Sequence, residues 1–221
     1  MTSSADPAVT TSTGRPKQPL TPKGARTKKR ILDAALELFA RSGFNSVSLR
    51  SIAAAADMSH AGVLRYFKDK DTLLIAVLER RDKLDLGPAI DGDTLRPEIL
   101  TKAGSVAFFE AFLQVIERNS QIPEIIELFL KVAAEASEPD HPAHEYFVDR
   151  YASLIDVLRQ VFEVALPGTP GERLGAQTAA EQFIAIVDGS QLQWLLSPDR
   201  FDLVAETRRY LEFLGVLDTA E

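Results

Sequence analysis

Residues 56–67 read ADMSHAGVLRYF and bring Ser59, His60, Arg65 and Tyr66 within eight positions of one another. A hydroxyl, an imidazole, a guanidinium and a phenol presented outward from one short segment are suited to hydrogen-bonding the base edges and phosphates of a duplex. Two other clusters carry less. His141 and His144, in PDHPAHEYF with Asp140 and Glu145 beside them, have the nitrogens and carboxylates that a divalent metal takes. Asp140 ahead of His-Pro also reads as a helix N-cap with proline in the first turn, and neither a metal nor a cofactor is assigned. GTPGERLG, residues 168–175, is glycine-rich but lacks the Lys-Ser/Thr of a phosphate loop, and no strand pattern precedes it. No G-x-S-x-G nucleophile motif occurs, so serine chemistry has no local support.

The chain around these clusters has 221 residues, 45% of them apolar and 26% charged, enough for a substantial core in one or two domains. It has no cysteine, which excludes a disulfide framework, a thiolate metal site and a cysteine nucleophile, and suits a reducing cytoplasm. No apolar run approaches the roughly 18 residues of a membrane span, and the start, MTSSADPAVTTST, has no hydrophobic signal core. A soluble, cytoplasmic protein with no membrane partner is expected. The net charge of −7 hides a division: residues 1–70 hold 12 Lys and Arg against 5 Asp and Glu, whereas residues 71–221 hold 13 against 27. A basic front attached to an acidic body suggests a nucleic-acid-facing end.

The elements that must position ADMSHAGVLRYF follow from periodicity. Residues 1–22 are rich in Ser, Thr and Pro without apolar repeats, which predicts a disordered tail. The basic stretch KGARTKKR, residues 23–30, reads either as an arm tracking DNA or as a solvated one. From there Ile31, Leu32, Ala35, Leu38 and Phe39 form one helical stripe, ended by Gly43 with Phe44 folding back on the last turn. Ser48 predicts the N-cap of a second helix bearing Leu49, Ile52 and Ala53. Asp57-Met58 breaks it, and Ser59 caps a third helix over 60–67, with Val63, Leu64 and Phe67. Two short helices joined by a three- to four-residue turn make a helix-turn-helix. In that motif the second helix places its N-terminal side chains in the major groove. Ala61 and Gly62 permit close approach, His60, Arg65 and Tyr66 project polar groups, and Met58, Val63 and Phe67 seat the helix. A fourth helix starts near Asp69 and runs over 69–86. Later breakers leave only helical patterns, so the chain is predicted all-α with about nine helices: a tail over 1–22, a DNA-binding domain over 23–70, and a second domain over 87–221.

Residues 31–78, ILDAALELFARSGFNSVSLRSIAAAADMSHAGVLRYFKDKDTLLIAVL, resemble the DNA-binding domain of the TetR family of bacterial transcriptional regulators. The resemblance lies in A-x-x-L-F of helix one, the Gly-Phe turn, S-x-x-x-I-A of helix two, Ser59, Phe67 and the K-D-x-L-L start of helix four. It implies a phosphate contact at Ser48, a base contact at Arg50, base reading by His60 and Ala61, contacts to bases or phosphates by Arg65 and Tyr66, and a phosphate grip by Lys70. The family usually has Tyr where this chain has Leu64, which leaves Arg65 or Tyr66 to supply the missing hydroxyl's contact. It further implies a homodimer on a palindromic operator and a body with an inducer pocket.

The body offers Phe108, Phe109, Phe112, Phe129, Phe147, Tyr151 and Phe162 as candidate pocket aromatics, each equally readable as core. For the dimer, Phe183, Val187, Gln191 and Trp194 share one helical face, and Leu203, Tyr210, Leu211 and Leu214 offer apolar surface on the last helix. The expected function is a sequence-specific transcriptional regulator, a repressor released by a small apolar molecule. The alternatives are a constitutive regulator or activator without inducer, or an all-α enzyme using the acidic body.

Overall fold

The structure, a computed structural model, describes residues 21–91 and 94–219. The tail expected over 1–22 lies outside these residues except for Thr21 and Pro22. Those two begin α1 (Pro22–Ser42): the Thr21 hydroxyl accepts from Gly24 N–H at 3.2 Å and proline occupies the first helical position, where its missing N–H costs nothing. The basic stretch 23–30, read from sequence as an arm, is thus helical.

Gly43 ends α1 with φ 75°, and its N–H returns to Phe39 O at 2.9 Å. The Phe39 and Phe44 rings then meet edge to face at 5.4 Å. Next come α2 (Leu49–Ala55), α3 (His60–Leu64) and α4 (Lys70–Leu86). The body holds α5 (Lys102–Ser120), α6 (Pro123–Glu135), α7 (His144–Ala165), α8 (Ala176–Leu196) and α9 (Leu203–Phe213). The expectation of an all-α chain with nine helices is met among the described residues. One small addition lies between α4 and α5, where Ile90 pairs with Leu95 and Asp91 with Thr94 in a two-residue antiparallel ladder. Among the described residues no helix is long and apolar enough to cross a membrane.

Two hydrophobic cores divide the chain. The first joins Ile31, Ala35 and Phe39 of α1, Ile52 of α2, Val63 of α3 and Leu73, Leu74 and Leu78 of α4. It also takes Leu128 and Val132 from α6 and Phe147 from α7, so the head is roofed by the body. The second core centres on Phe109, Phe162 and Phe183, all without exposed surface, with Leu158, Leu203 and Leu211 around them. Ion pairs tie the C-terminal half of α4 to two neighbours: Arg80 meets Asp33 of α1 at 2.6 Å, and Asp82 meets Arg150 of α7 at 2.9 Å.

The residues expected on the dimer face divide by burial. Phe183, Val187, Leu211 and Leu214 are buried in the chain's own core, and Leu203 with them; Gln191 and Trp194 remain partly exposed. Periodicity shows that a helix has an apolar face but not whether its own fold or a second copy covers it. The large apolar side chains left open on α8 and α9 are Leu192 at 52%, Leu196 at 75% and Phe213 at 73% exposure.

Candidate functional site

The helix-turn-helix is built from local hydrogen bonds. Ser48 and Ser51 form a reciprocal capping box at the start of α2, with the Ser48 hydroxyl accepting from Ser51 N–H at 3.1 Å. The turn into α3 needs Asp57 at φ 50°, a left-handed conformation that a short polar side chain tolerates best among non-glycine residues. Met58 N–H then bonds Ala53 O at 2.9 Å. Ser59 caps α3 by accepting from Gly62 N–H at 3.1 Å. A Cβ on Gly62 would lie 3.1 Å from Met58 Cε and 3.2 Å from Ser59 Oγ, so glycine lets the turn close on the helix.

This frame leaves Ser48, Arg50, Ser59, His60, Ala61 and Arg65 exposed, Tyr66 half-buried against the head core, and Val63 and Phe67 inside it. α3 is shorter than expected. It ends at Leu64, because the N–H groups of Tyr66 and Phe67 both turn back to Val63 O, at 2.9 and 3.0 Å. Arg65 and Tyr66 therefore sit on a turn, and Leu64 is 41% exposed. Lys70 is not a free tether. Its Nζ donates to Phe44 O at 2.9 Å and lies 4.2 Å from the Phe44 ring centre, fixing the start of α4 to the turn after α1.

A cavity of about 110 Å³ lies in the body, walled by α4, α5, α6, α7 and α8. Of the aromatic candidates, Phe112, Phe129, Phe147 and Tyr151 line it. Phe108 instead faces an open groove beside α5, and Phe109 and Phe162 are fully buried core, their rings 4.8 Å apart. The wall is less apolar than the aromatics suggest. Arg81, Asp82 and Asp85 enter it from α4, Asn119 from α5, Arg150 and Tyr151 from α7, and Asp188 and Gln191 from α8. Arg81 donates to Asp85 at 3.2 Å and also to Asn119; Arg150 Nε donates to Asp82 at 2.9 Å, and Tyr146 O–H donates to the same carboxylate. Tyr151 O–H donates to Asp188 at 2.7 Å. Burial would lower Arg150, but the Asp82 carboxylate against it holds it above its ordinary value. Burial pushes Tyr151 and Tyr146 up, helped by the carboxylates they serve, and pushes Asp188 up as well.

None of these wall carboxylates and guanidinia was singled out from sequence. Asp188 left a trace: within α8 it is the one charged residue after Glu181, set among Ile184, Ile186 and Val187.

The histidine cluster has another role. α7 starts at His144 rather than at the Asp140 cap expected, and His141 Nδ1 accepts from Ala143 N–H at 3.1 Å. His144 Nδ1 lies 2.8 Å from Ala136 O. Among the described residues no group of three His, Asp or Glu is placed to hold a metal ion. GTPGERLG forms a short 3-10 turn over Pro170–Leu174, tied to α9's end by Gly171 N–H on Leu214 O at 3.0 Å.

Comparison with known proteins converges on one family. A family model described as bacterial regulatory proteins, tetR family, matches residues 31–77. A second, described as BetI-type transcriptional repressor, C-terminal, matches residues 105–215. The chain is 30% identical over 192 residues to the HTH-type transcriptional regulator BetI of Paraburkholderia phymatum, covering 86% of this chain and 92% of that protein. It is 28% identical over 196 residues to the HTH-type transcriptional regulator AcrR of Shigella flexneri, covering 85% and 87%. The fold matches that of SmeT, the repressor of the Stenotrophomonas maltophilia multidrug efflux pump SmeDEF, with a TM-score of 0.68 at 19% identity, covering 86% and 92%. These relatives are regulators, which sets the enzyme alternative aside.

Proposed function

Because this chain belongs to the TetR family of bacterial DNA-binding transcriptional regulators, we propose that it is a homodimeric repressor that leaves its operator when a small molecule fills the body cavity. The observation that carries this reading is the course of α4. Its first residue, Lys70, is anchored in the DNA-binding head at Phe44, while Arg81, Asp82, Asp85 and Leu86 of its last turns wall the cavity. One rigid element therefore touches both sites. A ligand acts through it only by preferring one of two arrangements. Moving the population from 1:99 to 99:1 takes a preference of about 10⁴-fold, roughly 5.5 kcal/mol.

On DNA, His60, Ala61 and Arg50 are the base-reading candidates, with Ser48, Ser59, Arg65 and Tyr66 on bases or phosphates. Lys70 acts on the backbone by orienting the Phe44 turn as much as by touching a phosphate. A single helix-turn-helix reads few base pairs, so a palindrome and two copies are needed. Leu192, Leu196 and Phe213, with Trp194 and Gln191 at their side, supply the outward apolar surface of α8 and α9 for the second copy.

The test is fluorescence anisotropy on a duplex selected from a random pool. Affinity falls steeply between low and physiological salt, since bound Lys and Arg displace condensed counterions. His60→Ala or Arg50→Ala costs about 1–3 kcal/mol on the selected duplex and relaxes discrimination at the contacted base. Salt-insensitive binding, or unchanged sequence preference in both variants, contradicts the assignment. Operator binding untouched by every member of a panel of cationic, neutral and anionic small molecules removes the induction step.

A further inference from the structure

Leu64 breaks the pattern of the head. Of the large apolar side chains over residues 22–78, it is the exposed one among the described residues, at 41%. Its neighbours turn inward: Val63 and Phe67 lie inside the head core, and Met58 and Tyr66 pack against it. A single exposed leucine is ordinary on a protein surface; the place of this one is not. His60 and Leu64 are the first and last residues of α3, four apart, so they stand on one helical face about 6 Å from each other along the axis. Ala61 and Arg65 repeat that spacing beside them, Arg65 keeping helical dihedrals just past the helix end, and all four are exposed. Ala61 and Gly62 place no larger side chain between His60 and Leu64. The face that α3 turns away from its own core is the one a helix-turn-helix lays in the major groove, and Leu64 supplies its apolar bulk.

We infer that Leu64 is a specificity-determining residue that reads the C5-methyl group of a thymine in each operator half-site. The inference rests on the reading of the α3 face as the base-reading surface. A leucine side chain neither donates nor accepts a hydrogen bond, so it gains on binding only by covering apolar surface. On the major-groove edges of the bases, the thymine methyl is the apolar group; the other bases present ring nitrogens, carbonyl oxygens and amino groups there. A phosphate is disfavoured as its partner, because an anion pressed against an isobutyl group loses water without gaining a hydrogen bond. Burial of one methyl group is worth about fourfold in affinity, and two half-sites on a palindrome therefore about fifteenfold.

The test takes the selected duplex and replaces each thymine in turn, symmetrically in both half-sites, by deoxyuridine, which removes the methyl and keeps every hydrogen-bonding group. Anisotropy with the full chain should show one position at which wild-type affinity falls about fifteenfold, from two methyl contacts at about fourfold each. Leu64→Ala should weaken binding to the thymine duplex by at least that factor, and should bind the thymine and deoxyuridine duplexes within about twofold of each other. Both proteins meet the same pair of duplexes, so any effect of uracil on the DNA itself cancels in this cycle. Leu64 belongs to neither hydrophobic core, so the variant should unfold in urea at the wild-type midpoint. A selected half-site without a methyl-dependent thymine overturns the inference, as does Leu64→Ala protein that keeps the wild-type response at that thymine. The two readings fail separately. Binding insensitive to deoxyuridine, with discrimination still relaxed by His60→Ala or Arg50→Ala, refutes the role of Leu64 and keeps the α3 face as base reader. A methyl response lost in Leu64→Ala, while His60→Ala and Arg50→Ala keep the full sequence preference, supports Leu64 and refutes those polar assignments.

Discussion

Replacing Phe183 by alanine separates a core residue from an interface residue. Phe183 has no exposed surface, and its ring packs against Phe112 at 5.2 Å, Phe109 at 5.6 Å, Phe162 at 6.1 Å and Tyr210 at 6.3 Å. Removing a fully buried phenyl forfeits about 1.5–3 kcal/mol of transfer free energy. The space it leaves adds to that loss, because α5, α7, α8 and α9 all meet at this ring and cannot close on it together. Large-to-small changes of this kind cost about 3–5 kcal/mol in total. For a chain of this length each kilocalorie lowers Tm by about 2–4 °C, so a fall of about 6–20 °C is expected. The assay is urea and thermal unfolding at several protein concentrations, with light scattering on the native state. If Phe183 instead served mainly a partner surface, the variant would turn monomeric yet unfold within about 0.5 kcal/mol of wild type once dilution had separated the wild-type copies. That result would refute the placement of this ring.

Two smaller perturbations bear on the head and on the body. Ser59→Ala removes the cap that accepts from Gly62 N–H and should cost about 1 kcal/mol; because the loss falls on α3, operator affinity drops while most of the global stability in urea remains, and an unchanged affinity contradicts the capping role. Arg208 donates to both oxygens of Glu110, at 2.9 and 2.6 Å, and that bonding holds the Glu110 carboxyl below its ordinary range despite partial burial. The stabilisation is therefore full above the unfolded pKa and disappears as pH falls through the lowered folded value. The side chains are 32% and 41% exposed, so Arg208→Gln should cost about 0.2–1 kcal/mol at pH 7 and nothing near pH 2; a loss equal at both pH values refutes the ion pair.

Local signals carried the head. Gly43-Phe44, Ser48, Asp57-Met58 and Ser59 act over three or four residues, through caps, a left-handed turn and an aromatic fold-back, and such bonds can be read from residue types in order. The end of α3 was less legible, since nothing in LRYF marks the point where two N–H groups turn back to Val63 O. In the body, periodicity gave helices with apolar faces but not their partners. Phe109 and Phe162 became solid core while Phe112 and Tyr151 line a cavity, because that choice depends on how five helices cross. The same holds for Phe183 and Leu211, whose apolar faces met their own fold, and for Leu196 and Phe213, which did not. Asp188 could be seen in sequence as a carboxylate in an apolar run. Only packing decided that its partner would be a tyrosine from α7, 37 positions away, and not an arginine. Side-chain charge is a local property; its compensation is set by the tertiary neighbours that burial brings to it.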